Sequence, residues 1–255
     1  MKKIIAMLLV LVMAASLVAC GGSKAPETTA APVETAAPET TAAPETEATE
    51  AAVEEVAVMT YEEYLAAELN DEVVIETNVQ ATQSWWDNKI TVYCQSPDGA
   101  YFLYELACSE EDAANLVPGA KIRVTGYKGE WAGEVEIMDG TFTIMDGTWI
   151  AEATDVTALL GKDEMINHQN EKVAFKGMTV VSWEYKNGEV GQDIYVTLSK
   201  DGAEYSFCVE SYLTADGTAT YDAVEALVAG DVIDVEGFAY WYEGLNTHIT
   251  GVTKN

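Results

Sequence analysis

From residue 73 onward, apolar and polar side chains alternate in short runs at the two-residue period of a half-buried strand. Such runs cover residues 73–81, 90–94 and 101–106, and again 173–181, 193–198 and 205–209. Within each set an Asp-Gly pair separates the second and third runs, "SPDGA" ending at Ala100 and "SKDGA" ending at Ala203, which predicts a tight hairpin. The line V-x-G-x-x-I-x-V-x-G is then written twice, as "VPGAKIRVTGY" over 117–127 and "VAGDVIDVEGF" over 228–238. A turn at Gly119 or Gly230 leads into a strand, and Gly126 or Gly237 falls where that strand must bend or admit a close neighbour. Short helical patterns near 110–116 and 221–227 precede the two copies, and last strands near 134–138 and 245–250 follow them. The hairpins are offset by 103 residues and the repeated line by 111, so the second set carries eight extra residues between its third and fourth strands.

The order strand, hairpin, short helix and two strands, with the repeated line on strand four, resembles the OB-fold, a five-stranded Greek-key barrel. The resemblance implies an all-β protein of two tandem five-stranded OB-fold-like Greek-key barrels, each with a short helix between strands three and four. Many OB-folds place a glycine in strand one; Gly177 fits, whereas Asn78 or Val79 stands there in the first copy. Upstream, Thr60 and Glu63 form a T-x-x-E capping box ahead of Tyr61, Tyr64, Leu65 and Leu69, predicting a helix that closes the bottom of the first barrel. Between the copies, Asp139-Gly140 and Asp146-Gly147 predict an added strand or an interdomain hairpin. The alternating ligand ladder of a calcium loop is missing from that stretch.

The N-terminus is of another kind. Lys2 and Lys3 precede an apolar run from Ile4 to Val18, too short for a comfortable membrane span, and the run ends in "LVAC". This resembles the lipobox of bacterial lipoproteins, which implies a lipid on Cys20 and a protein held on the extracytoplasmic side of the cell membrane. A six-residue Ala/Pro/Glu/Thr unit with Pro26, Pro32, Pro38 and Pro44 follows, unable to form a continuous helix or to offset the entropy of ordering. The expected organisation is a signal peptide over 1–19, a lipidated cysteine and disordered linker over 20–58, and OB-fold-like domains over 59–153 and 154–255.

Charge narrows the partners. The formal net charge is −30, and residues 59–255 hold ten cations against 35 carboxylates. Such a surface repels phosphate backbones, so no nucleic acid is expected as partner. After Cys20 the cysteines are Cys94, Cys108 and Cys208, read mostly as small buried hydrophobes, with a Cys94–Cys108 disulfide as the alternative.

No nucleophile–base, P-loop or metal motif stands out, and neither cofactor nor metal is expected. His168 and His248 sit in no catalytic motif, and the alternating acids Glu134 and Glu136, or Asp231 and Asp234, read as solvated strand faces. The aromatic residues are the candidates. Loop one–two carries Trp85 and Trp86 in the first copy and Trp183 and Tyr185 in the second; loop four–five carries Tyr127 and Trp131 in the first copy and Tyr240, Trp241 and Tyr242 in the second. OB-folds meet ligands at these loops. The expectation is a membrane-anchored, non-enzymatic binding module for a glycan or peptide; the alternatives are rings that only lid the barrels and an accessory subunit of an envelope complex.

Overall fold

The computed structural model describes residues 57–255, which form one compact unit. Cys20, the signal segment and the proline-rich stretch lie outside the described residues.

The first barrel is built from β1 (Glu72–Thr82), β2 (Lys89–Ser96), β3 (Gly99–Ala107), β4 (Ala120–Trp131) and β5 (Glu134–Thr148), hydrogen-bonded in the closed order β1-β2-β3-β5-β4. Antiparallel β1–β4 pairing and a short parallel seam between β3 and β5, Phe102 beside Glu136 and Leu103 beside Ile137, complete the circle. The second barrel repeats the plan with β7 (Lys172–Tyr185), β8 (Ile194–Lys200), β9 (Ala203–Val209), β10 (Val232–Phe238) and β11 (Thr247–Lys254). Strand β10 pairs with β7, and β11 runs parallel to β9 through Thr247–Phe207 and His248–Cys208. A two-residue strand, β6 (Thr154–Asp155), adds in parallel to β7. The all-β, twin OB-type architecture is as the strand order implies.

The repeated line has a common physical cause. Gly119 and Gly230 both adopt φ +93°, a left-handed conformation at which a side chain strains the turn into β4 or β10. Ile122 and Val124, like Ile233 and Val235, point inward and are fully buried. At Gly126 an added Cβ would lie 2.7 Å from Ile137 Cγ2 and 2.9 Å from the Met138 carbonyl; at Gly237 it would collide with the His248 carbonyl. Both strands also change register there, next to their final partner strand. Absence of a side chain is what lets strand four cross strand five closely and coil.

The helices follow their caps. Thr60 and Glu63 form the reciprocal capping box of α1 (Tyr61–Ala66), which packs Tyr64 onto the first core. Lys128 Nζ, buried on β4, donates to the Tyr64, Leu65 and Ala67 carbonyls at 2.9, 2.9 and 2.8 Å, closing the other end of that helix. Between strands three and four lie α2 (Glu110–Ala113), a single turn capped by Ser109, and α3 (Ala219–Glu225), capped by Thr218, with Tyr221 and Val224 buried.

One expectation about the linker fails. Asp139-Gly140 and Asp146-Gly147 do not bound an added strand or hairpin, because β5 runs unbroken to Thr148 along β4. Asp139, at φ 50°, marks a local kink in it.

Each barrel has its own apolar core, and a third cluster, Tyr93, Phe102, Phe238 and Tyr240, joins them. Tyr93 stacks on Phe238 at 4.6 Å and meets Phe102 edge-on at 5.1 Å. The eight extra residues of the second copy serve this junction: Leu213 packs on the cluster, and the Tyr212 carbonyl accepts from Ser84 N at 2.8 Å. Cys94, Cys108 and Cys208 are free and buried.

Candidate functional site

The candidate aromatic residues do not gather at two equivalent mouths. Trp85 and Trp183 are lids: each packs on its own core, and their indole N–H groups donate to the Cys108 carbonyl at 2.8 Å and the Leu227 carbonyl at 3.0 Å. Tyr185 meets Trp183 edge-on and gives its hydroxyl to Glu225 at 2.6 Å. Trp86 is 66% exposed beside a small hollow of about 260 Å³ with Lys89, Glu105 and Tyr212. Trp241 leans on the second core, receives Glu134 at its backbone N–H at 2.7 Å, and borders a groove of about 590 Å³ with Tyr195 and Tyr205.

The remaining three converge. Trp131 and Tyr242, 55% and 48% exposed, come from opposite barrels with ring centroids 5.2 Å apart, their loops tied by Glu243 N donating to the Ala132 carbonyl at 2.7 Å. With Tyr240 they edge a cleft of about 820 Å³ between the barrels. Its two walls are the parallel seams that close each barrel. The β3–β5 seam supplies Phe102, Tyr104, Glu136 and Met138; the β9–β11 seam supplies Cys208 and His248, and Tyr195, Glu210, Lys186 and Asp193 lie beside it.

Burial makes the polar groups of this cleft unusual. Glu136 is 5% exposed and has no hydrogen-bond partner among the described residues; burial, with the Glu105 carboxylate nearby, pushes it up to about 7. Glu210 is also raised, first by burial, although the Leu213 N–H at 2.8 Å favours its charge. Asp193 goes the other way: burial opposes ionisation, but Lys186 at 2.8 Å and the Ser211 N–H and hydroxyl, at 3.0 and 2.7 Å, hold it below the usual range. His248, on β11, stacks on Tyr240 at 4.2 Å and meets the Tyr93 hydroxyl at Nδ1, 2.6 Å away, and burial drops it to about 3. It is therefore a neutral ring at neutral pH. Tyr93 accepts from Gln83 Nε2 at 3.2 Å, which leaves its own proton for Nδ1 and puts the imidazole proton on Nε2.

Glu134 lies just outside, at the junction. It is fully buried and raised to about 8 by burial, accepting from Trp241 N at 2.7 Å and Gln169 Nε2 at 3.3 Å. The solvated-face reading of Glu134 and Glu136 is thus overturned: the second barrel covers their strand, which nothing local to that strand encodes. Asp231 and Asp234 instead hold structural bonds, to Val228 N at 3.0 Å and Gly177 N at 2.8 Å. His168, away from the cleft, pairs with Glu171 at 2.8 Å. Sequence reasoning missed Phe102, Tyr104, Glu136, Glu210 and His248 as cleft residues. The paired parallel seams are the signal that links them, and only the docked barrels display it.

Among the described residues, no group of three or more His, Cys, Asp and Glu side chains converges to hold a metal ion, and no helix is long and apolar enough to cross a membrane. No protein-family model matches the chain, and no curated protein matches its sequence. Solved structures of similar form include the tetrameric p202 HIN2 domain (11% identity, TM-score 0.32, 74% of this chain and 97% of that one). A murine DNA-binding protein bound with double-stranded DNA (10%, 0.35, 71% and 96%) and a replication protein A heterotrimer bound to single-stranded DNA (10%, 0.30, 72% and 49%) also match. At these scores the likenesses do not say what this chain binds. The expectation that nucleic acid is excluded is withdrawn: it had rested on net charge alone, and a protein solved with double-stranded DNA is among the matches.

Proposed function

We propose that this chain is a bacterial lipoprotein, anchored through a lipid on Cys20, that presents a non-enzymatic binding body outside the cell membrane. Its ligand, a glycan or peptide, sits in the cleft between the barrels. The carrying observation is the convergence of Trp131 and Tyr242 from opposite barrels at the rim of an 820 Å³ cleft whose walls are two barrel seams. Rings kept half-exposed at a concave junction are contact surface; rings needed only for stability go inside, as Trp85 and Trp183 do. The linker composition suits a tether that gives this body reach.

The seat is tested by titrating the chain with cell-wall oligosaccharides and peptides while following tryptophan fluorescence. Trp131→Ala and Tyr242→Ala should each abolish or weaken the response at unchanged melting temperature, because both side chains are half-exposed. A response that survives both substitutions would remove the cleft as the seat. The anchor is tested separately: Cys20→Ser should release the protein from membranes, one acyl-bearing cysteine being the attachment the sequence supplies. Retention after high-salt washing would show another anchor.

A further inference from the structure

We propose that the cleft between the barrels selects a ligand bearing an organic ammonium group, seated against Trp131, Tyr104 and Tyr240 with Glu136 and Glu210 as its counter-charges. The inference rests on the cleft being the ligand seat and adds the chemistry of the ligand.

The charge inventory of the cleft carries it. Lys186 and Asp193 pair at 2.8 Å, and both oxygens of that carboxylate are used, so the pair is self-contained. Lys89 and Glu105, behind Glu136, pair at 2.6 Å. Among the described residues, that leaves Glu136 facing the cleft with neither a cation nor a hydrogen bond, and Glu210 with no ion pair of its own, the nearby Lys186 being committed to Asp193. The Glu136 oxygens are not sealed off from the cleft, so water is what an incoming partner would displace. An incoming ammonium supplies the missing partner and stabilises the ionised form of Glu136. Around these acids the surface is aromatic, and ring faces attract a diffuse cation more than a neutral group of the same shape. Compact metal ions are not served by this arrangement, since the described acids do not converge in threes. The strongly negative body also concentrates cations near the cleft.

The test uses the full-length chain and a matched pair of small probes, choline and its uncharged isostere 3,3-dimethyl-1-butanol, with binding read by calorimetry. Choline should bind at least about tenfold more tightly than the isostere, a discrimination of the size desolvated cation–aromatic contact supplies. Glu136→Gln should cut choline's advantage over the isostere severalfold and leave the isostere unchanged, and Glu210→Gln should act in the same direction. Glu210 keeps the experiment decisive if the Glu136 variant melts early. Trp131→Ala should weaken both probes. A glucosamine trimer and a lysine tripeptide then tell which kind of molecule carries the ammonium, and binding of either supports the proposal. Equal binding of choline and isostere, indifferent to both glutamine variants, overturns the cation selectivity and leaves the cleft as a seat. If neither probe binds while oligosaccharides or peptides do so through Trp131, the cation reading alone falls. If nothing binds through Trp131 or Tyr242, both readings fall.

Discussion

Three buried residues at the barrel junction, Glu134, Glu136 and His248, govern how the protein should respond to pH. The two glutamates have folded pKa values of about 8 and about 7, raised chiefly by burial, so the folded state keeps protons that the unfolded chain has released. Their stabilising contribution is complete below the ordinary carboxyl pKa and is lost as pH rises through the folded values. His248 has the opposite sign. Its folded value of about 3 lies below the unfolded one, so its contribution is present above about pH 6.5 and is lost as pH falls toward 3. Between the carboxyl range and pH 6.5 the histidine therefore offsets part of the glutamate effect, and above pH 6.5 nothing from His248 opposes it. Stability should fall most steeply between about pH 6.5 and 7, where both glutamates act unopposed, and should go on falling to about pH 8 on Glu134 alone, at about 1.4 kcal/mol per pH unit. Glu134→Gln should flatten that limb in a series of urea unfolding curves. The substitution is also chemically reasonable: a neutral Glu134 has a hydroxyl to donate, and neither Glu134 Oε1 nor the Asn170 amide oxygen has a hydrogen-bond partner among the described residues. An unchanged slope in the glutamine variant would mean Glu134 is ionised in the folded protein.

At the scale of elements, the repeated line predicts unequal costs for two equivalent substitutions. Gly126→Ala presses a methyl on the Ile137 side chain, which can move, and on the Met138 carbonyl at 2.9 Å; a loss of roughly 1–3 kcal/mol is expected. Gly237→Ala drives its methyl into the His248 carbonyl, which is backbone, so β10 must part from β11 and the loss should be larger. Thermal melts of the two variants check the order, and equal losses would show that β11 yields as easily as a side chain. This is also where the sequence was most legible. Strand periodicity, Asp-Gly hairpins and the doubled line are local signals, and they placed ten barrel strands, both inter-strand helices and the Thr60–Glu63 box. The reading of Asp139-Gly140 failed because the same dipeptide serves a hairpin or a kinked strand, and pairing along β4 decides which. The candidate site was legible only in its rings. Trp131, Tyr240 and Tyr242 were found because large aromatics in loops are conspicuous. Trp85 and Trp183 look the same in sequence, but their N–H groups reach carbonyls 23 and 44 residues away, a relation no local pattern carries.

For the whole molecule, the junction decides whether two similar barrels behave as two domains. Each has a closed sheet and a core of its own, which favours independence. Against this, four large rings meet between them, and the contact is fastened by directional bonds: Tyr93 hydroxyl to His248 at 2.6 Å, Lys172 N to Gln95 at 2.8 Å, and Trp241 N to Glu134 at 2.7 Å. Undocking would expose Tyr93 and Phe238, which are nearly inaccessible, and would hydrate the acids and imidazole that the junction now keeps neutral. Aromatic burial on this scale outweighs the freedom gained by separation, so the barrels should unfold in a single transition. The two lid tryptophans make this measurable, because Trp85 reports on the first barrel and Trp183 on the second. Phe102 belongs to the first barrel, and Phe102→Ala leaves a cavity at the junction with an expected cost of about 3–5 kcal/mol. In variants that keep Trp85 or Trp183 as the single tryptophan of the six in the chain, that substitution should lower the melting temperature read by Trp183 as well as by Trp85. If Trp183 reports an unchanged midpoint while Trp85 shifts, the barrels fold independently. The cleft between them would then be a hinge, and its binding surface would need the ligand itself to hold the two walls together.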